Sequence, residues 1–162
     1  MAARKGTHEH AVDAVTLLKQ DHDDVSALLK EFASAGGADK APIAERICEA
    51  LTVHAQIEEQ IFYPAARSVL DDDDMDLVDE ADVEHATIKG LVKRIQSSGP
   101  SDDHFEALMT VLGEYVKHHV KEEEKQLFPK LRRTDLDLDG LGQQLAALKD
   151  QLEASPAVEH AT

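Results

Sequence analysis

Two stretches of this chain space their apolar side chains three and four apart, and each gives one place in the row to a histidine. The first reads Val15, Leu18, His22, Val25, Leu29 and Phe32; the second reads Val78, Ala81, His85, Ile88, Val92 and Ile95. That rhythm keeps one face of an α-helix apolar and turns it toward a partner. Two further rows are Ile47, Leu51, His54, Glu58 and Ile61, and Leu108, Leu112, Val116, His119, Glu123 and Leu127. Each gives two places to polar residues. Four such rows in a chain dominated by helix formers predict an all-α fold, a four-helix bundle.

The rows also match in pairs. The run from His22 to Phe32 repeats the pattern of the run from His85 to Ile95, and both histidines follow an acid, Asp21 or Glu84. The run His54-Ala-Gln-Ile-Glu58-Glu59 up to Pro64 repeats in His119-Val-Lys-Glu-Glu123-Glu124 up to Pro129. Two helix hairpins related by a pseudo-twofold axis are expected.

Punctuation places the elements. Helices are predicted over 12–33, 42–64, 75–96 and on to 132, with a short fifth over 140–153. Gly36-Gly37 and Ser97-Ser98-Gly99-Pro100 break the chain between them. Pro42 suits a first turn, and Ser101, Asp102 and Asp103 offer caps for helix four. The expected organisation is a disordered tail over 1–10, one domain over 11–133, and a short helix with a tail over 134–162.

Composition narrows the function classes. Thirty-three acids against 17 bases give a formal charge of −16, which repels nucleic acid and anionic lipid. With no tryptophan and 4% aromatics, a base-stacking surface is excluded. No apolar run approaches the ~18 residues of a membrane span. The basic start leads into Thr7-His8-Glu9-His10 rather than an apolar segment, against a secretory signal. The one cysteine, Cys48, lies between Ile47 and Leu51 and is expected to be a buried, inert thiol. A reducing cytoplasm fits, with no nucleic-acid or membrane partner.

Chemistry concentrates on the inward rows. His and Glu at i, i+4 project from one helix face, one turn apart. Pairing the hairpins brings His22, His54, Glu58, His85, His119 and Glu123 together inside the bundle. Two carboxylates and four imidazoles in a dry interior are costly without a partner. A pair of metal ions supplies one, each ion taking two histidines and the glutamates bridging. The alternatives are a hydrogen-bonded polar layer and a solvated His-Glu face.

Other candidates read differently. His8, His10 and His160 fall in the tails, and His104 in the first turn of helix four. His118 lies about 100° around the helix from His119, on the outer face. Tyr115 is expected in the core or beside the site. Asp135-x-Asp137-x-Asp139-Gly140 begins like a calcium loop, but Ala146 stands where a bidentate acid is required. The run Asp71 to Asp74 reads as a solvated connection or helix start.

The pattern His22, His54-x-x-x-Glu58, His85, His119-x-x-x-Glu123 resembles the hemerythrin-like HHE cation-binding domain, over about residues 12–132. The resemblance implies an antiparallel up-down bundle around a non-haem di-iron centre, often oxo- or hydroxo-bridged. His22 and His54 would serve one iron, His85 and His119 the other, with Glu58 and Glu123 bridging. Zinc also suits the donor set. Oxygen-carrying hemerythrins have a further histidine where this chain has Lys89, and a last aspartate one residue beyond Glu123. One iron then lacks a nitrogen ligand, and open positions fall to water, peroxide, Glu59, Glu84, Glu124 or a tyrosine. Three functions are expected from this. The first is a protein that binds or senses iron, dioxygen, peroxide or nitric oxide, acting through an unnamed protein partner. The second is a catalase-like di-iron oxidoreductase, and the third a metal-free helical adaptor.

Overall fold

A computed structural model describes residues 12–154, and every regular element in that span is helical. Helix α1 covers Ala14–Ser34. Helix α2 runs as an α-helix over Lys40–Ile57, a π-helical turn over Glu58–Phe62 and a last α-helical turn over Tyr63–Arg67. Helix α3 covers Asp72–Ser98. Helix α4 repeats the plan of α2, with Phe105–Glu122, a π-turn over Glu123–Leu127 and Phe128–Arg132. Helix α5 covers Leu138–Ala154. The first four form the antiparallel bundle as two hairpins, α1 with α2 and α3 with α4. The expected N-terminal tail and the end beyond residue 154 lie outside the described residues.

Local chemistry sets the helix ends. Asp13 caps α1 by accepting from Thr16 N at 2.9 Å. Asp71 caps α3 by accepting from Asp74 N, and Asp72, Asp73 and Asp74 fill its first turn, where the helix dipole favours anions. Gly99 ends α3 at φ 57°, a left-handed backbone that glycine adopts without strain. Asp102 accepts from His104 N at 2.8 Å rather than capping α4, which starts at Phe105 with no side-chain cap bond. Asp137 closes a turn onto Gly140 N as α5 begins.

The prolines explain the π-turns. Pro64 and Pro129 lack an N–H and clash with the carbonyl four residues back. In both helices the turn just before the proline widens to i→i+5 bonding, Tyr63 N to Glu58 O and Phe128 N to Glu123 O. The extra residue rotates the remainder of each helix about its axis. Phe62 and Tyr63, not Ile61, enter the core of α2, which corrects the simple stripe.

The core is divided in two. One apolar cluster gathers Val15, Leu18, Ile57, Phe62, Phe128 and Leu131, with Leu141 and Leu145 of α5. The other gathers Val25, Ile47, Leu51, Ile88, Leu112 and Val116. Cys48 is buried there, and burial pushes its thiol up to about 11, so it stays inert. The His-Glu layer lies between the two. Helix α5 packs along α1 and α2. Gly142 lets it approach, because a Cβ there would stand 2.2 Å from Val12 O and 2.9 Å from Ala14 N.

Candidate metal centre

Four helices each send one histidine inward, and α2 and α4 each add a glutamate from the first residue of the π-turn. The structure brings all six together in two groups of four. His22 and His54 converge with Glu58 and Glu123; His85 and His119 converge with the same two glutamates. All six are at most 6% exposed. His22 Nε2 stands 3.2 Å from His54 Nε2, and His85 Nε2 stands 3.0 Å from His119 Nε2. His119 Nε2 lies 2.8 Å from Glu123 Oε1, and His54 Nε2 presses on Glu58 Oε1.

Neighbouring acids aim the rings. Asp21 accepts from His54 Nδ1 at 3.0 Å, and Glu84 accepts from His119 Nδ1 at 3.0 Å. Each acid precedes a histidine of its own helix and orients a histidine of the next. With the proton fixed on Nδ1, the Nε2 lone pair is turned to the interior. Glu124 and Glu59 stand 3.7 and 3.5 Å from the Nδ1 atoms of His22 and His85. Glu59 is also ion-paired with Lys89 at 2.5 Å, and the Lys89 side chain is half-exposed.

The donor set fits cations. Both oxygens of Glu58 and Oε1 of Glu123 are buried without a hydrogen-bond donor in bonding geometry. Unpaired anionic oxygens facing imidazole lone pairs are stable only around positive charge. In the metal-free protein, protons supply it. Burial pulls His54 down, but the charge of Glu58 and the hydrogen bond His54 donates to Asp21 outweigh it and hold the ring near 10. Burial likewise opposes the charge of Glu123 on His119, and the result is about 9. Burial raises Glu58, yet the His54 charge prevails and keeps its carboxyl well below the usual range. Two pairs of nitrogens, each with the two shared carboxylates, are donor groups that could hold metal.

A family model, the hemerythrin HHE cation binding domain, matches residues 13–131. The chain belongs to the hemerythrin HHE cation-binding domain family. This HHE protein is 30% identical over 135 residues to a protein of Nostoc sp. named DNA nickase. The match covers 81% of this chain but only 37% of that protein's length. Among solved structures, an HHE cation-binding domain-containing protein from Mycobacterium kansasii superposes with a TM-score of 0.74 at 23% identity, over 89% of each chain. The two share the fold.

Two clefts run into the HHE layer between the hairpins. One, of about 270 Å³, passes between α2 and α3, from Lys89 and Lys93 past Leu51 and Val92 to His54 and His85. The other, about 760 Å³, passes between α1 and α4, by Leu29 and Val120 to His22. The pseudo-twofold exchanges them.

One functional neighbour escaped the sequence pattern. Tyr63 is 2% exposed, with its Oη 3.1 Å from His85 Nε2, 3.5 Å from His119 Nε2 and 3.2 Å from Glu123 Oε2. Burial and the charges of Glu123 and Glu58 push its phenol well above the usual range, so it stays protonated and donates to Glu123. Phe128 fills the matched place in the other half and stacks on His22 at 6.0 Å. The aromatic residue just before each proline was the available signal. Tyr115, by contrast, is 43% exposed. It sits next to the inward Val116 rather than on its face, which corrects the expectation of a core or near-site role.

Proposed function

We propose that this protein holds two iron ions, His22 and His54 on one, His85 and His119 on the other, bridged by Glu58 and Glu123, and that it binds small oxygen or nitrogen species there. The observation that carries this reading is the pair of buried glutamates held between two sets of buried imidazole nitrogens. Imidazole and carboxylate suit iron and also zinc. Bound iron would supply redox chemistry toward dioxygen, peroxide or nitric oxide.

The chain's own residues shape that chemistry. Asp21 and Glu84 keep two rings in the ligating tautomer. The clefts admit small ligands from opposite sides while Val25, Ile88 and Val116 keep the approach apolar. Tyr63 Oη, 3.1 Å from His85 Nε2, carries a proton that a reacting ligand can take. Lys89 turns outward to Glu59 and leaves that half with two imidazoles. This arrangement favours a reactive ligand such as peroxide over reversible oxygen carriage. The formal net charge of −16 opposes contact with a DNA backbone, which sets this chain apart from the nicking activity in the Nostoc relative's name.

The test is metal analysis with spectroscopy. Protein expressed with ample iron should hold close to two ions per chain, and a diferrous sample exposed to oxygen should oxidise without recovering when oxygen is removed. Protein without metal would refute the centre, and full recovery over several cycles would show a carrier. Oxygen release from added peroxide above free-iron controls would mark an enzyme, and its absence a sensor.

A further inference from the structure

Outside the buried layer, a second nitrogen–oxygen cluster hangs on Glu84. While Oε1 of Glu84 accepts from His119, its Oε2 lies 3.2 Å from His118 Nε2. The same His118 nitrogen is 3.2 Å from Glu122 Oε1. One atom from each of the three residues lies within 4.8 Å of the others. Ligands held ~2.1 Å from a tetrahedral ion stand about 3.4 Å apart, close to the separations seen. The His118 side chain is 62% exposed, against 16% for Glu84, so the cluster opens to solvent.

The duplication shows what this position demands. Asp21 matches Glu84, and its second oxygen is met by a cation, the Lys149 ammonium of α5 at 2.6 Å. Val53 and Ile57 match His118 and Glu122, and Ile57 joins the apolar cluster that α5 covers. Around Glu84 there is no fifth helix and no lysine among the described residues. An imidazole and a carboxylate stand there instead.

A further observation ties this cluster to the interior. A cavity of about 10 Å³, room for about one water, is lined by Glu84, Glu122 and Glu123 between Leu77, Ala81 and Leu127. Glu123 is 2% exposed, and its Oε1 lies 2.8 Å from His119 Nε2 and 3.5 Å from His22 Nε2 in the inner layer. The cavity therefore joins the outer carboxylates to an inner one.

We propose that Glu84, His118 and Glu122 form a third, solvent-facing site for a divalent transition-metal cation, through which the inner pair is loaded. One nitrogen and two oxygens, with water completing the shell, suit ferrous iron, cobalt or zinc and bind more weakly than the inner sets. The loading role rests on the inner metal pair; the outer site does not.

The test uses cobalt(II) and metal-free full-length protein. Equilibrium dialysis should find three ions on the wild type and two on His118→Ala or Glu122→Gln, with His104→Ala as the exposed-histidine control at three. The difference between wild type and variant tests the outer site, and the number left on the variant tests the inner pair. One ion on the wild type and none on His118→Ala would leave the outer site standing and sink the inner reading. Stopped-flow absorption should show inner loading slowed about tenfold in His118→Ala, the gain expected from local concentration of an ion, with final inner occupancy unchanged. Equal stoichiometry in wild type and His118→Ala would overturn the site. A lost third ion with an unchanged loading rate would overturn the loading role.

Discussion

Loading metal into this bundle should expel protons in a number set by the buried network. His54 is held near 10 and His119 near 9 in the metal-free protein. At pH 7.5 such groups are together almost fully protonated, so about two protons must leave before both nitrogens ligate. Two ordinary imidazoles, titrating near 6.5, would together release only about 0.2. Apparent affinity for the pair of ions should then rise about 100-fold per pH unit up to pH ~9, and flatten above. The fold carries the same linkage with opposite sign. Both pKa values are raised, so their stabilisation of the metal-free protein is complete below about 6.5 and lost as pH climbs through 9 to 10. Calorimetric titration with zinc, repeated in buffers of different ionisation enthalpy, counts the protons. Any bound water that lost a proton would add to the count, so two is a floor. Release below about one proton per chain at pH 7.5 would refute the picture of protons standing in for the metals.

Three further outcomes are expected. Lys149→Met removes the cation at Asp21 and should cost about 1 kcal/mol in chemical denaturation, discounted for a partly exposed lysine; it should also weaken metal binding several-fold by loosening His54. Tyr63→Phe removes the hydroxyl that donates to Glu123 and should leave metal stoichiometry unchanged while slowing peroxide decay by the iron-loaded protein about 100-fold, followed by absorption, because the proton offered to a reacting ligand is gone. Gly142→Ala drives a Cβ into the backbone of Val12 and Ala14 and should destabilise by about 1–3 kcal/mol, read as a lowered thermal midpoint.

The bundle was legible because burial imposes periodicity. Each helix had to keep one face apolar, and the six polar intruders stand out against that rhythm at His22, His54, Glu58, His85, His119 and Glu123. What periodicity hides is any contact that leaves the regular helix. Tyr63 is five residues past Glu58, about 140° off its face in a regular α-helix, and only the π-turn brings it back. The other tyrosine, Tyr115, is exposed and lies one residue off the inward row, which spacing alone did not separate. The pairing of Asp21 with His54 spans two helices, and that of Lys149 with Asp21 joins residues far apart in the chain. No spacing rule reports either.

The division of the core has a consequence for cooperativity. Between the apolar cluster buttressed by α5 and the one near the hairpin turns lies a charged waist. Apolar packing does not cross it, so in the metal-free protein the two ends are joined mainly by helix backbone. Amide exchange there should fall into two families of opening energy, the slower at the α5 end. Ions ligated by all four helices would clamp the waist and merge the families, so metal would change how many pieces the bundle opens in, beyond how tightly it holds.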